Sequence, residues 1–114
     1  MRWYLRSKIH MARVTETKVN YMGSITIDKG LIEKAGFHKG EKVAVWDITN
    51  GERLETYIIL GEENSGIICM NGAAAKRIKK GDKVIVAGFE LSTKKIKPKI
   101  ILVNKKNKFI KYLK

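Results

Sequence analysis

A small, mainly β barrel with short helices is the fold this sequence predicts, and three observations carry that reading. Short alternating segments recur along the chain; in one of them Ile25 and Ile27 face one way while Ser24 and Thr26 face the other. Asn50-Gly51, set between two such segments, is a strong hairpin signal. A strand–helix–strand unit is also repeated. Ile25-Thr26-Ile27, a short helix and Lys39-Gly40-Glu41-Lys42-Val43-Ala44-Val45 are echoed 41 residues later by Ile67-Ile68-Cys69, a short helix and Lys80-Gly81-Asp82-Lys83-Val84-Ile85-Val86. Two halves of this size suit a closed barrel with approximate two-fold symmetry, and helices this short cannot flank a doubly wound parallel sheet.

In chain order, residues 4–14 alternate imperfectly and read as a strand, with Lys8 and His10 on one face. Residues 18–28 form the next extended segment, bent at Gly23. Leu31 to Ala35 is a short helix that Gly36 stops. Lys39-Gly40-Glu41 turns into a strand from Val43 to Ile48, and Asn50-Gly51 leads back through Thr56 to Leu60. Residues 62–66 turn into the apolar strand Ile67 to Met70, after which Asn71 is placed to cap a short helix from Gly72 to Lys79. Gly81-Asp82 opens the strand Val84 to Ala87, and one more strand spans residues 100–103, after Pro98.

With 114 residues the chain has room for one core, so residues 1–114 form a single barrel domain. No apolar run reaches the length of a membrane span, and Met1-Arg2-Trp3-Tyr4-Leu5-Arg6 lacks the apolar stretch of a secretory signal; a cytoplasmic protein without a membrane partner is expected. The single cysteine, Cys69, excludes an internal disulfide framework and, among Ile67, Ile68 and Met70, reads as an inert core thiol. Of the net charge of +13, nine lysines in about residues 94–114 supply nine, with no acid among them, leaving +4 for the rest. That tail has no arginine, the residue suited to bidentate phosphate or base contacts, so a solvated lysine-rich end is expected rather than a nucleic-acid interface.

The usual catalytic signatures are missing. Two histidines and one cysteine cannot make a usual structural zinc site, the carboxylates do not fall at calcium-loop spacings, and there is neither a phosphate loop nor a nucleophile elbow. Any catalysis must therefore come from an unusual group. Gly23-Ser24 can provide one, because a serine hydroxyl next to a flexible glycine can attack the glycine carbonyl from within the chain. Taken singly, the other polar residues have ordinary readings: Lys8 and His10 as a solvated strand face, Arg53 as hairpin decoration, Thr56-Tyr57 as strand formers. Asn71-Gly72-Ala73-Ala74 reads as a capped helix start whose free N–H groups could receive a carboxylate.

Together these residues resemble the aspartate 1-decarboxylases, pyruvoyl enzymes that make β-alanine for pantothenate and coenzyme A synthesis. The resemblance runs from about Leu5 to Phe89. It is carried by Lys8-Ile9-His10, Tyr21-Met22-Gly23-Ser24, Trp46-Asp47-Ile48-Thr49-Asn50-Gly51-Glu52-Arg53, Thr56-Tyr57, Asn71-Gly72-Ala73-Ala74-Ala75 and Gly81-Asp82. Asn20 stands where members often have histidine, and the segment after about Thr93 has no counterpart in the resemblance.

The resemblance implies a double-psi β-barrel whose precursor cuts itself at Gly23-Ser24 into a β chain, 1–23, and an α chain, 24–114. Ser24 would attack the Gly23 carbonyl, with Thr56 assisting, and end as an N-terminal pyruvoyl group. That group would form a Schiff base with L-aspartate and replace pyridoxal phosphate; no metal is implied. Tyr57 would return the proton, Lys8, Arg53 and Thr56 would bind substrate, and Gly72, Ala73 and Ala74 would offer backbone contacts. His10 and Asn71 would support the site. The family further implies a homotetramer in which a neighbouring subunit completes each pocket. An alternative resemblance, to swapped-hairpin DNA-binding transcription factors, rests on Gly23 to Leu31 and Lys39 to Val43 alone.

Overall fold

Nine strands join in one sheet in the computed structural model, which describes residues 1–114. They are β1 (Arg2–Arg13), β2 (Glu16–Lys18), β3 (Ser24–Asp28), β4 (Lys42–Asp47), β5 (Arg53–Gly61), β6 (Ile68–Asn71), β7 (Lys83–Ser92), β8 (Lys99–Val103) and β9 (Phe109–Leu113). The helix α1 (Lys29–Ala35) follows β3, and a 3-10 helix, Gly72–Lys76, follows β6. The strand order is β2-β6-β3-β5-β4-β7-β1-β8-β9. Side chains from distant members of that order, among them Ile9, Ile27, Val45, Ile58, Ile68, Val86 and Ile101, meet in one buried cluster. The sheet therefore curls round a single core, as a barrel does.

The repeat read from the sequence is physically paired. In the antiparallel β3–β6 ladder Ile25 faces Met70 and Ile27 faces Ile68, and in the antiparallel β4–β7 ladder Val45 faces Val86. Each half thus lies against its own counterpart, which buries the apolar face of both at once.

Asp28 holds the first half in place. Its Oδ1 accepts from the N–H groups of Gly30, at the start of α1, and of Asn64; its Oδ2 accepts from Gly66 N–H. Gly36 ends α1 with φ of 78°, a left-handed conformation that glycine adopts without strain.

Two local expectations need correction. Residues 19–23 form a turn and bend rather than an extended segment, since β2 stops at Lys18 and β3 starts at Ser24. Asn71 does not cap the segment after it: its side chain makes no capping bond, and Gly72–Lys76 is a 3-10 helix rather than the start of an α-helix reaching Lys79. The lysine-rich end keeps its lysines exposed, as expected, and contains the expected strand at residues 100–103 as β8. β8 pairs in parallel with β1, Ile101 and Val103 are buried, and β9 returns antiparallel to β8.

Candidate active site

β3 begins at Ser24 and pairs with β5 only from Ile58 onward, so the part of β5 before Ile58 runs on past the end of its neighbour. That mismatch leaves a cavity of about 440 Å³, with Gly23 on one side, Thr56 and Tyr57 on another, and Asn71, Ala73 and Ala74 on a third. Ser24 is wholly buried beside it. Its Oγ donates to the Met22 carbonyl at 2.9 Å and accepts from Asn71 Nδ2 at 2.9 Å. Asn71, also buried, donates from the same nitrogen to Thr26 Oγ1 at 3.0 Å. This network takes the amide that the sequence offered as a helix cap; a buried amide must satisfy its polar atoms inside, and two hydroxyls lie within 3.0 Å of its nitrogen.

Gly72 joins this group by packing rather than by hydrogen bonds. Its φ of +72° favours glycine, and a Cβ there would meet Gly23 Cα at 2.7 Å. Tyr57 is 38% exposed and borders the cavity.

Lys8, His10 and Arg53 are elsewhere. Arg53 Cζ lies 4.7 Å and Lys8 Nζ 6.0 Å from the centroid of the Trp46 ring, so both cations stand over one indole on the outer face of the sheet. Neither lines the cavity beside Ser24. His10 lies where β1 bulges, between Ile9 and Ala12, and its Nδ1 is buried without a hydrogen-bond partner. Burial, and then the charge of Lys8, lower the pKa of His10, which favours the neutral imidazole. The face shared by Lys8 and His10 is as the alternation of β1 predicts.

Four contributors escaped the sequence reading. Trp46 organises the two cations, Thr26 and Cys69 hold Asn71, and Arg77 lines the cavity while pairing with Glu52 at 3.3 Å. Thr26 was legible in part, because it alternates onto the same face as Ser24. Nothing in the sequence distinguishes Arg77 from its basic neighbours. No group of three or more His, Cys, Asp or Glu side chains is placed to hold a metal, and no helix is long and apolar enough to cross a membrane.

Comparison with known proteins places this geometry in context. The family model described as Aspartate decarboxylase matches residues 1–110, well beyond Phe89, so most of the lysine-rich end belongs to the family pattern after all. The chain is 52% identical over 107 residues to the aspartate 1-decarboxylase of Clostridium botulinum (strain Loch Maree / Type A3), covering 90% of this chain and 84% of that one. It is 54% identical over 111 residues to the aspartate 1-decarboxylase of Caldicellulosiruptor saccharolyticus, covering 94% and 87%. Among solved structures, the computationally designed msDPBB_sym2 protein aligns with a TM-score of 0.47 at 16% identity, over 75% of this chain and 96% of its own. These matches are to decarboxylases and not to the DNA-binding alternative. The chain belongs to the aspartate decarboxylase family and is an enzyme, a carbon–carbon lyase.

Proposed function

We propose that this chain is made as a precursor that cuts itself between Gly23 and Ser24, and that the product decarboxylates L-aspartate to β-alanine and CO₂. The observation that carries the reading is the buried Ser24 hydroxyl, held by Asn71 beside a cavity bordered by Gly23, Thr56 and Tyr57. Ser24 Oγ bonds to the Gly23 carbonyl carbon as the peptide C–N bond breaks, leaving an ester and a free amine. Thr56 assists by donating to the carbonyl oxygen as charge builds there. Loss of the Ser24 Cα proton then expels Oγ with the Gly23 carboxylate, and water releases the nitrogen as ammonia. The chains 1–23 and 24–114 remain joined by the barrel.

The residues around position 24 fit the resulting pyruvoyl group. Asn71 Nδ2 is a neutral donor for its oxygens, and an added Cβ at Gly23 meets nothing within 4 Å, so the released end has space to move away. The group supplies an electrophilic ketone that accepts the substrate amine and takes up the electrons left by CO₂. Tyr57 gives a proton to the carbon that lost CO₂. Gly72, Ala73 and Ala74 contribute backbone contacts to the substrate, and His10, which shares a face with Lys8 and not the Ser24 cavity of its own chain, supports the site as a neutral group from a neighbouring copy.

Arg53 and Lys8 grip substrate carboxylates, Arg53 in two-pronged fashion. Since they stand over Trp46 and not in the Ser24 cavity of their own chain, the reading includes a homotetramer in which a neighbouring copy presents them. The enzyme acts in the cytoplasm and supplies β-alanine for pantothenate and coenzyme A. Intact mass under denaturing conditions tests the reading, with release of β-alanine and CO₂ from aspartate as the second measurement. Two chains cut before Ser24, with ammonia lost from the larger, are expected. One unbroken chain that releases no CO₂, even after incubation with cell extract, overturns it.

A further inference from the structure

Arg13 and Lys83 face each other across the β1–β7 ladder, which sets two like charges side by side. Both are half-buried, and with Lys105, Met11, Val103 and Asn104 they line a cavity of about 250 Å³ that shares no residue with the one beside Ser24. No carboxylate borders it, and none of the three cations forms an ion pair within the chain. Asp82, next to Lys83 in sequence, is engaged elsewhere, by Lys79 N–H at 3.0 Å and by the Asp47 carboxyl. Arg13 Nη1 makes one long contact, to the Gly81 carbonyl at 3.4 Å, so most of its N–H donors stay free.

The third charge is placed by construction. Buried Asn107 accepts from Arg13 N–H at 2.7 Å and donates to the Arg13 carbonyl at 2.8 Å, which ties the turn carrying Lys105 to the very residue it joins. Asn104 Oδ1 accepts from the N–H groups of Lys106 and Lys108 at 2.9 and 3.0 Å and stiffens that turn. Met11, also on the cavity wall, sits at φ +68° within the β1 bulge, a left-handed conformation that costs a non-glycine residue stability. Neighbouring cations weaken the fold as well, and an anion seated among them offsets that repulsion.

We propose that Arg13, Lys83 and Lys105 form a binding site for a small phosphate-bearing anion, with a diphosphate group as the chemistry that suits three neighbouring cations. The Arg13 guanidinium can hold two oxygens of one phosphate, while Lys83 and Lys105 act as point charges. The site stands whether or not Ser24 is converted.

Isothermal titration of the full-length chain with inorganic pyrophosphate and with ATP, at fixed ionic strength, tests this. Arg13→Gln, Lys83→Gln and Lys105→Gln are each expected to weaken pyrophosphate binding roughly fivefold to thirtyfold. Replacing Lys94 and Lys95 together by Gln, beyond the opposite end of β7, should leave it within about twofold. Without any anion Lys83→Gln should melt higher than the unaltered chain, because the facing like charge is gone, yet lose the rise in Tm that pyrophosphate gives. Binding of neither probe, binding that the three variants leave intact, or equal weakening by the Lys94 and Lys95 replacements overturns the proposal. So does a Lys83→Gln chain that melts lower and still responds to pyrophosphate. Tighter binding of ATP than of pyrophosphate marks a nucleotide as the source of the phosphates, and the reverse order marks the free anion; both orders support the site.

Discussion

Gly72 lies against Gly23 so closely that a Cβ on Gly72 would sit 2.7 Å from the Gly23 Cα and 2.9 Å from its nitrogen. Two glycines nearly fifty positions apart thus let two backbones touch at the bond proposed to break, and Gly72 does so at φ +72°. Gly72→Ala adds a methyl group that must push residues 21–23 away and also strains its own backbone. The expected cost is about 2 kcal/mol or more, seen as a fall of several degrees in Tm. Displacing Gly23 also moves its carbonyl from the Ser24 hydroxyl, so the same variant accumulates uncut chain by intact mass. Ordinary stability with normal cleavage would contradict the contact.

Asp47 predicts a pH effect. It is buried at the end of β4, where its Oδ1 accepts from Thr49 and Asn50 N–H groups at 2.8 and 3.1 Å while its Oδ2 has no donor. Burial first, then the neighbouring Asp82 carboxyl, raise its pKa to about 6 from 3.8, against the pull of those N–H groups. A folded carboxyl that holds its proton more tightly than the unfolded one stabilises the fold below about pH 4, and that contribution fades as pH rises through 6. Asp47→Asn keeps the acceptor for the turn and places NH₂ toward Asp82. Relative to the unaltered chain its stability is expected to rise as pH goes from about 4 to 6 and then level off, by at most about 3 kcal/mol, in urea unfolding at several pH values. A stability difference that does not change with pH would refute the assignment.

How much of this was legible beforehand differs from residue to residue. Ile25, Ile27, Val43 and Val45 gave both the strands and the two-fold repeat, because alternation is enforced by the pleat and needs no tertiary information. Gly36 gave the end of α1 for the same local reason. Asn71 misled, because an asparagine ahead of small residues signals a cap only when nothing in space competes, and Ser24 and Thr26 compete from across the β3–β6 ladder. The end of the chain was legible only in part: the strand at 100–103 was anticipated, but β9 and the buried Asn107 were not, because their value depends on strands far away in sequence. The separation of Lys8 and Arg53 from Ser24 is a property of barrel curvature, which no spacing in the chain reports.

Asn107 makes that last point measurable. Fully buried at φ +59°, it accepts from Arg13 N–H at 2.7 Å and donates to the carbonyls of Arg13 and Gly66 at 2.8 and 2.7 Å. It pins the β8–β9 turn to the end of β1. Asn107→Ala is expected to lose about 2–4 kcal/mol in urea unfolding, since three bonds go and two carbonyls and an N–H are left without partners. Asn107→Gly accepts the positive φ but makes none of the bonds, so it should recover only a minor part, about 1 kcal/mol. Full recovery with glycine would mean that backbone conformation, not hydrogen bonding, makes this residue necessary.

Trp46 separates substrate binding from maturation. Lys8 and Arg53 both stand over its ring, Phe89 packs beside it at 6.4 Å, and none of these atoms borders the cavity next to Ser24. Trp46→Ala removes the platform that orients two cations without touching the bond to be cut. Each partly exposed cation–π contact is worth about 0.5–1 kcal/mol, so KM for aspartate should rise roughly threefold to tenfold, with the fraction of cleaved chain unchanged. Trp46→Phe keeps a smaller aromatic face and should fall between the two. If the cations act as carboxylate clamps, the loss is in KM; a fall in kcat with KM unaltered would place Lys8 and Arg53 in the chemical step instead, and a block in cleavage would tie the Trp46 face to maturation.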